Sequence, residues 1–151
     1  GLGDVYKRQV LSIMHVCRGN WTTDESVLLQ GAYDKLGKFF DALDLDMLAL
    51  EFSTPRAGEV EKLFSNNFLD TRVMLGFGCV NPRSEVIETP EEIVARVEEV
   101  LQFLPPERIW LNPDCGFATF AKRPLNPYPI IQKKLENMVA ASKILREKYC
   151  K

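Results

Sequence analysis

A parallel α/β chain of four βα units is predicted by three observations. Four apolar runs of strand length follow one another: Val10–Cys17 (VLSIMHVC), Asp46–Phe52 (DMLALEF), Arg72–Cys79 (RVMLGFGC) and Arg108–Cys115 (RIWLNPDC). Each is nearly continuous in apolar residues rather than alternating, as in strands covered on both faces. Helical periodicities separate them at intervals of about 30 residues, the spacing of successive βα units. Two architectures share this order, an open doubly wound sheet and a (β/α)8 barrel, of which four units are half. The first usually shows a phosphate-binding glycine fingerprint. GFGCVN (Gly76–Asn81) begins like one, but Asn81 replaces the last glycine and Pro82 follows in place of a helix.

Within the first unit, Leu28, Ala32, Leu36, Phe39, Phe40 and Leu43 recur at three- and four-residue steps and predict a helix, weakened by Gly31 and Gly37. PRAGEVEKLF (Pro55–Phe64) predicts a helix of two or three turns in the second. The third has the clearest start. Thr89 suits the N-cap, Pro90 the first helical position, and Glu92 can reach back to the cap amide. Ile93, Val94, Val97, Val100, Leu101 and Leu104 form its apolar stripe, and Pro105 and Pro106 stop it. A last helix from about Pro129 carries Ile131, Leu135, Met138, Ser142 and Leu145 on one face.

Composition narrows the class. The 151 residues, 46% hydrophobic and 26% charged, are enough for one domain with a real core. Nineteen basic against twenty-one acidic residues give a net charge of -2, and no basic stripe suggests a nucleic acid or a membrane surface as partner. No apolar run approaches the roughly 20 residues of a membrane span, and no signal-peptide pattern is present. The four cysteines are too dispersed for a disulfide scaffold, so a reducing cytoplasm is expected. Residues 1–9 (GLGDVYKRQ) lead into no element, and Asp4–Gln9 back-translates to the end of a transposase-based sequencing adaptor. They are expected to be non-native, with residues 10–151 the native part of a fragment.

The chemistry collects at strand ends. His15, the only histidine, and Cys17 are two apart on a strand and face one way. Glu51 ends the second run and Cys115 the fourth, so all four sit at carboxyl ends, where parallel barrels build active sites. Singly, each has an ordinary reading: a hydrogen-bonded core imidazole, a small apolar thiol, a solvated acid. Together, one imidazole, two thiols and one carboxylate make a tetrahedral zinc set. Cys79 is the rival ligand, and Cys150 lies in the tail.

The stretches HVCRGN (His15–Asn20), ALEFS (Ala49–Ser53), ETPEEIVARVEEVLQFLPPERIWLNPDCGF (Glu88–Phe117) and KLENMVAASKILREKY (Lys134–Tyr149) resemble the C-terminal catalytic domain of cobalamin-independent methionine synthase, in particular its short archaeal and bacterial homologues. The resemblance runs from Val10 to about Tyr149. It implies the last four units of a (β/α)8 barrel, belonging to a full-length cytoplasmic monomer. It also implies zinc held by His15, Cys17, Glu51 and Cys115. The implied reaction transfers a methyl group from 5-methyltetrahydropteroyl-glutamate to the homocysteine thiol, giving methionine. Zinc would deprotonate and fix that thiol, because only the thiolate attacks well. Glu51 and Asp114 are the candidate substrate contacts.

One motif departs from the family. Where the long enzymes carry Asp-x-His-Ser after the third strand, this chain has Asn81-Pro82-Arg83-Ser84. Arg83 and Ser84 are therefore the catalytic candidates at that position. An arginine cannot donate a proton at neutral pH, so Arg83 is expected to bind a carboxylate or the glutamate tail of a folate. The departure leaves open a different methyl donor, another zinc-activated thiol alkyltransferase of the coenzyme M type, or a non-catalytic zinc-binding module. The family places most contacts to the amino-acid part of homocysteine in the preceding half of the barrel. The chain alone is accordingly expected to be inactive.

Overall fold

The computed structural model describes residues 10–150, so the expectation for residues 1–9 lies outside the described part. Four strands form one sheet: β1 (Ile13–Val16), β2 (Met47–Glu51), β3 (Met74–Val80) and β4 (Ile109–Pro113). Their order is β1-β2-β3-β4 and every pair is parallel, the arrangement of consecutive units in a (β/α)8 barrel. Opposite residues run His15–Ala49–Gly76 across three strands and Glu51–Gly78–Asn112 across the last three. Pro113, which has no amide to donate, sits at the end of the outer strand β4.

The two faces of the sheet differ. Leu48, Leu50, Leu75 and Phe77 are buried against the connecting segments, with Phe52 stacked on Phe77 at 5.4 Å. On the other face small or polar residues prevail at Ala49, Gly76, Gly78 and Asn112, while Ile13 and Trp110 stay about half exposed at 52% and 51%. Among the described residues β1 and β4 each pair on one side only.

The helices follow the sequence unevenly. The helix α4 (Pro90–Val100) has the full capping box: the Thr89 hydroxyl accepts from the Glu92 amide at 3.2 Å, and the Glu92 carboxylate accepts from the Thr89 amide at 2.7 Å. Ile93, Val97 and Val100 are its buried face, and Leu104, just past it, is buried too.

The first connection is a correction. The helix expected from Leu28 to Leu43 exists only as a 3-10 turn, Tyr33–Leu36, continuing into α1 (Gly37–Ala42). Gly31 has a φ of 138°, and the amides of Leu29 and Gly31 go to the carbonyls of Arg18 and Arg56, so those donors are spent on neighbouring loops. The second connection is broken likewise. In place of one helix over Pro55–Phe64 there is a 3-10 turn, Pro55–Ala57, then α2 (Val60–Leu63), and then the further α3 (Leu69–Arg72). Gly58 interrupts it with a φ of 72°, where a Cβ would meet that of Ala32 at 2.7 Å.

The last helix, α5 (Tyr128–Tyr149), buries Leu145 and packs Met138 as expected, but Lys134, Asn137 and Ala141 displace Leu135 and Ser142 from the centre of its buried face. Leu135 is 38% exposed, whereas Lys134, Asn137, Ala141 and Leu145 are buried. The cause is polar. The Lys134 ammonium meets the Glu88 carboxylate at 2.8 Å and also donates to the Val86 carbonyl, and the Asn137 amide donates to the Glu88 carbonyl at 2.8 Å.

Candidate metal centre

The carboxyl ends of β1, β2 and β4 bring four donor atoms together. His15 lies in β1, and Cys17 comes one residue past the strand end. Glu51 closes β2, and Cys115 comes two residues after β4. One ligand atom from each lies within 4.8 Å of all the others. The Cys115 sulfur is central, 3.3 Å from His15 Nε2, 3.2 Å from the Cys17 sulfur and 3.2 Å from Glu51 Oε1. All four sequence candidates for the metal are thus in one cluster. Cys79 is not: it is sealed in the core, burial pushes its thiol up to about 12, and its sulfur lies 3.6 Å from the Asn112 carbonyl. Cys150 is exposed at the end of α5.

Three of the ligands are aimed by neighbours. The Nδ1 of His15 donates to the carbonyl of Ala49 at 2.9 Å, which points Nε2 at the cluster. The Gly19 amide donates to the Cys17 sulfur at 3.2 Å, and the Arg18 amide donates to Glu51 Oε2 at 3.1 Å. The backbone of Glu51 is gripped by Tyr33, whose hydroxyl accepts from its amide at 2.9 Å and donates to its carbonyl at 3.3 Å. Burial pushes that phenol up to about 12, so it stays protonated and able to do both. The Arg18 guanidinium lies 3.8 Å over the Tyr33 ring.

The crowding has an electrostatic consequence. The Cys115 thiol is pushed well above its ordinary value, first by burial and then by Cys17 and Glu51, which oppose another negative charge. A divalent cation reverses that balance, since it attracts the same three anionic groups. The donor set therefore suits a cation better than it suits three free acids.

Beneath the cluster lies a second layer of charge. Arg83 has its side chain fully enclosed, with Nη2 2.7 Å from Asp114 Oδ2 and Nε 3.1 Å from Glu25 Oε1. Burial works against its charge, but Asp114 and Glu25 outweigh it and hold the guanidinium protonated. Arg56 faces Glu25 at 3.3 Å, and Arg56 and Arg83 each approach one oxygen of Glu51 at 3.9 Å. Asp114 accepts from Arg83, from the Phe52 and Ser53 amides at 3.0 and 2.9 Å, and from the Ser53 hydroxyl. Arg83 and Asp114 are thus enclosed and joined to each other. Ser84 is half-buried above them, its hydroxyl accepting from the Val86 amide at 3.1 Å.

Several residues of this arrangement had no sequence signal. Glu25 stands in a single 3-10 turn, Glu25–Val27, and Tyr33 resembles any residue of a helix stripe. Gly78 did carry one, because a glycine inside a strand marks a close approach of something else.

Residues 13–144 match a family described as the cobalamin-independent synthase catalytic domain. The methionine synthase of Sulfurisphaera tokodaii is 34% identical over 135 residues, which is 89% of this chain and 33% of that protein. The 5-methyltetrahydropteroyltriglutamate–homocysteine methyltransferase of Candida albicans is 33% identical over 108 residues, 72% of this chain and 13% of that protein. A solved B12-independent methionine synthase from Shewanella sp. W3-18-1, in complex with selenomethionine, superposes with a TM-score of 0.73 at 18% identity. That match covers 93% of this chain and 40% of that one, and it speaks for the fold. The match spans only 33% to 34% of the length of these curated methionine synthases.

Proposed function

Because the chain belongs to the family of cobalamin-independent synthase catalytic domains, we propose that it supplies the metal-binding part of a zinc-dependent methyltransferase. The reaction is transfer of a methyl group from a methyltetrahydropteroyl-glutamate to the thiol of homocysteine. The observation that carries this reading is the convergence of His15, Cys17, Glu51 and Cys115, whose ligand atoms fall within 4.8 Å of one another.

The residues fit zinc on their own chemistry. Two thiols and one imidazole favour zinc over magnesium or calcium, and four donors suit its tetrahedral preference. His15 turns Nε2 toward the cluster, because its Nδ1 donates to the Ala49 carbonyl. Zinc bound here would act as a Lewis acid that keeps the acceptor sulfur as a thiolate at neutral pH. The protein's part is to hold the ligands still and to balance charge. Tyr33 fixes the Glu51 backbone, the Arg18 amide fixes its carboxylate, and Arg56 and Arg83 offset the surplus of negative groups.

Departure of the methyl group leaves a folate amine that must be protonated. Where the long enzymes of the family carry Asp-x-His-Ser, this chain has Asn81-Pro82-Arg83-Ser84. Arg83 keeps its proton and is engaged by Asp114 and Glu25. This favours a second reading in which the donor is not a folate and the chain serves another thiol alkyl transfer, such as one onto coenzyme M.

The test is metal-dependent methyl transfer by protein carrying this sequence. Methionine formed from homocysteine and methyltetrahydropteroyl-triglutamate, and lost in Cys115→Ser, supports the first reading. Turnover only with another alkyl donor or with coenzyme M transfers support to the second.

A further inference from the structure

We infer that Asp114 is a positioning residue that sets the spacing between the Glu51 and Cys115 ligand atoms, and that Arg83 locks it in place. The inference rests on the metal-site reading above and concerns how that site is held.

Glu51 and Cys115 stand at the ends of β2 and β4, which are not neighbours. β3 lies between them, so the backbone joins the two ends only through β3, with no direct ladder from one to the other. One side chain spans the gap. Asp114, the residue before Cys115, sends Oδ1 to the amides of Phe52 and Ser53, the two residues after Glu51, at 3.0 and 2.9 Å. Its Oδ2 takes the Ser53 hydroxyl and Arg83 Nη2, the latter at 2.7 Å. The carboxylate thus ties the backbone directly after one ligand to the backbone directly before the other.

The intervening strand is shaped to let it pass. Asp114 crosses β3 at Gly78, where a Cβ would come within 2.6 Å of Asp114 Oδ1 and 2.6 Å of the Leu50 carbonyl. Any other residue there would push the carboxylate off its two amides. The Asp114 amide donates to the Val80 carbonyl at 2.9 Å, which pins the same residue to β3 from the backbone side. Arg83 completes the clasp: its side chain is fully enclosed, and it reaches both Asp114 and, at 3.9 Å, Glu51 Oε1. Without Arg83 the carboxylate keeps its partners at Phe52 and Ser53 but loses the one charged group on Oδ2, so it is held less firmly between the two ligands.

The test uses the full chain loaded with Co2+ in place of zinc, because thiolate-to-cobalt charge-transfer bands and the strength of the visible bands report ligand identity and tetrahedral geometry. Wild type is expected to show two-thiolate tetrahedral spectra. Asp114→Asn keeps the shape but not the charge that pairs with Arg83. It is expected to bind Co2+ about 10- to 100-fold more weakly, the range seen when a partner behind a metal ligand is lost. Its visible bands should shift as well, while its far-ultraviolet circular dichroism stays unchanged. Ser53→Ala removes one hydrogen bond of the clasp without burying a new group, and carries the same test with a smaller loss should Asp114→Asn fail to fold. Wild-type affinity and an unshifted spectrum in both variants, with the thiolate bands weakened in Cys115→Ser, would overturn the positioning role and leave the metal site standing. A wild-type spectrum without thiolate bands would overturn the metal-site reading, and the inference with it.

Discussion

The Nδ1 of His15 donates to the carbonyl of Ala49, its direct partner in the β1–β2 ladder, at 2.9 Å. The parallel register of two strands thereby decides which ring nitrogen keeps the proton and which one faces Cys115. A strand slip of one residue would turn His15 to the other face. The first prediction follows from the cluster this register builds. His15→Ala and Cys115→Ser should each weaken zinc binding by more than about 100-fold, beyond what loss of an outer partner does. Cys79→Ala should bind zinc as wild type does. Metal retained after dialysis against a chelator of known affinity measures all three.

Gly78→Ala is predicted to be destabilising by about 1–3 kcal/mol, the usual range for a methyl forced into a packed site. The added carbon would meet the Leu50 carbonyl and Asp114 Oδ1, each at 2.6 Å, and the first of these is backbone that cannot swing aside. Chemical denaturation of the two proteins checks it, with an unchanged slope showing that the compactness of the unfolded state has not altered.

The revised face of α5 gives an asymmetric pair. Lys134→Ala removes a fully enclosed ammonium from Glu88 and the Val86 carbonyl, and should cost about 3 kcal/mol. Leu135→Ala, at a position 38% exposed, should change stability by less than about 0.5 kcal/mol. The ordering would be reversed if the apolar stripe carried the packing. Unfolding midpoints of the two variants decide between the alternatives.

The capping box makes part of the stability pH-dependent. Hydrogen bonds from the Thr89 amide and hydroxyl hold the Glu92 carboxyl below its ordinary value of 4.5. A carboxyl lowered in the folded state contributes stability that is fully present above the unfolded value and is lost as pH falls through the folded one. Glu92→Gln should therefore lower stability near neutrality, where the ionised carboxylate contributes, and flatten the acid arm below about pH 4.5, where the two proteins converge. Thr89→Ala should cost about 1 kcal/mol at neutral pH as well. Thermal unfolding followed from pH 3 to 7 reads both effects.

Strand order and the ligand set were legible in the sequence for a common reason. Near-continuous apolar runs define buried parallel strands, and residues two apart on a strand share a face, so His15 and Cys17 declare themselves together. The capping box at Thr89 was legible because its signal is local. The first connection was not, since Gly31 and its neighbours give their amides to Arg18 and Arg56, partners that no short window contains. The face of α5 was misjudged for a related reason. Apolar periodicity assigns Lys134 to solvent, while the loop carrying Glu88 offers it an acid and a carbonyl. Arg83 was legible as a binder of carboxylates, but the identity of those carboxylates was not: they are Asp114 and Glu25 of this chain, 31 and 58 positions away.

The convergence of four ligands on one cation is tested most directly by zinc K-edge absorption spectroscopy of the zinc-loaded full chain. The predicted result is one bound zinc with two sulfur neighbours at about 2.3 Å and two nitrogen or oxygen neighbours at about 2.0–2.2 Å. A shell of nitrogen and oxygen alone, or zinc that dialyses away, would contradict it.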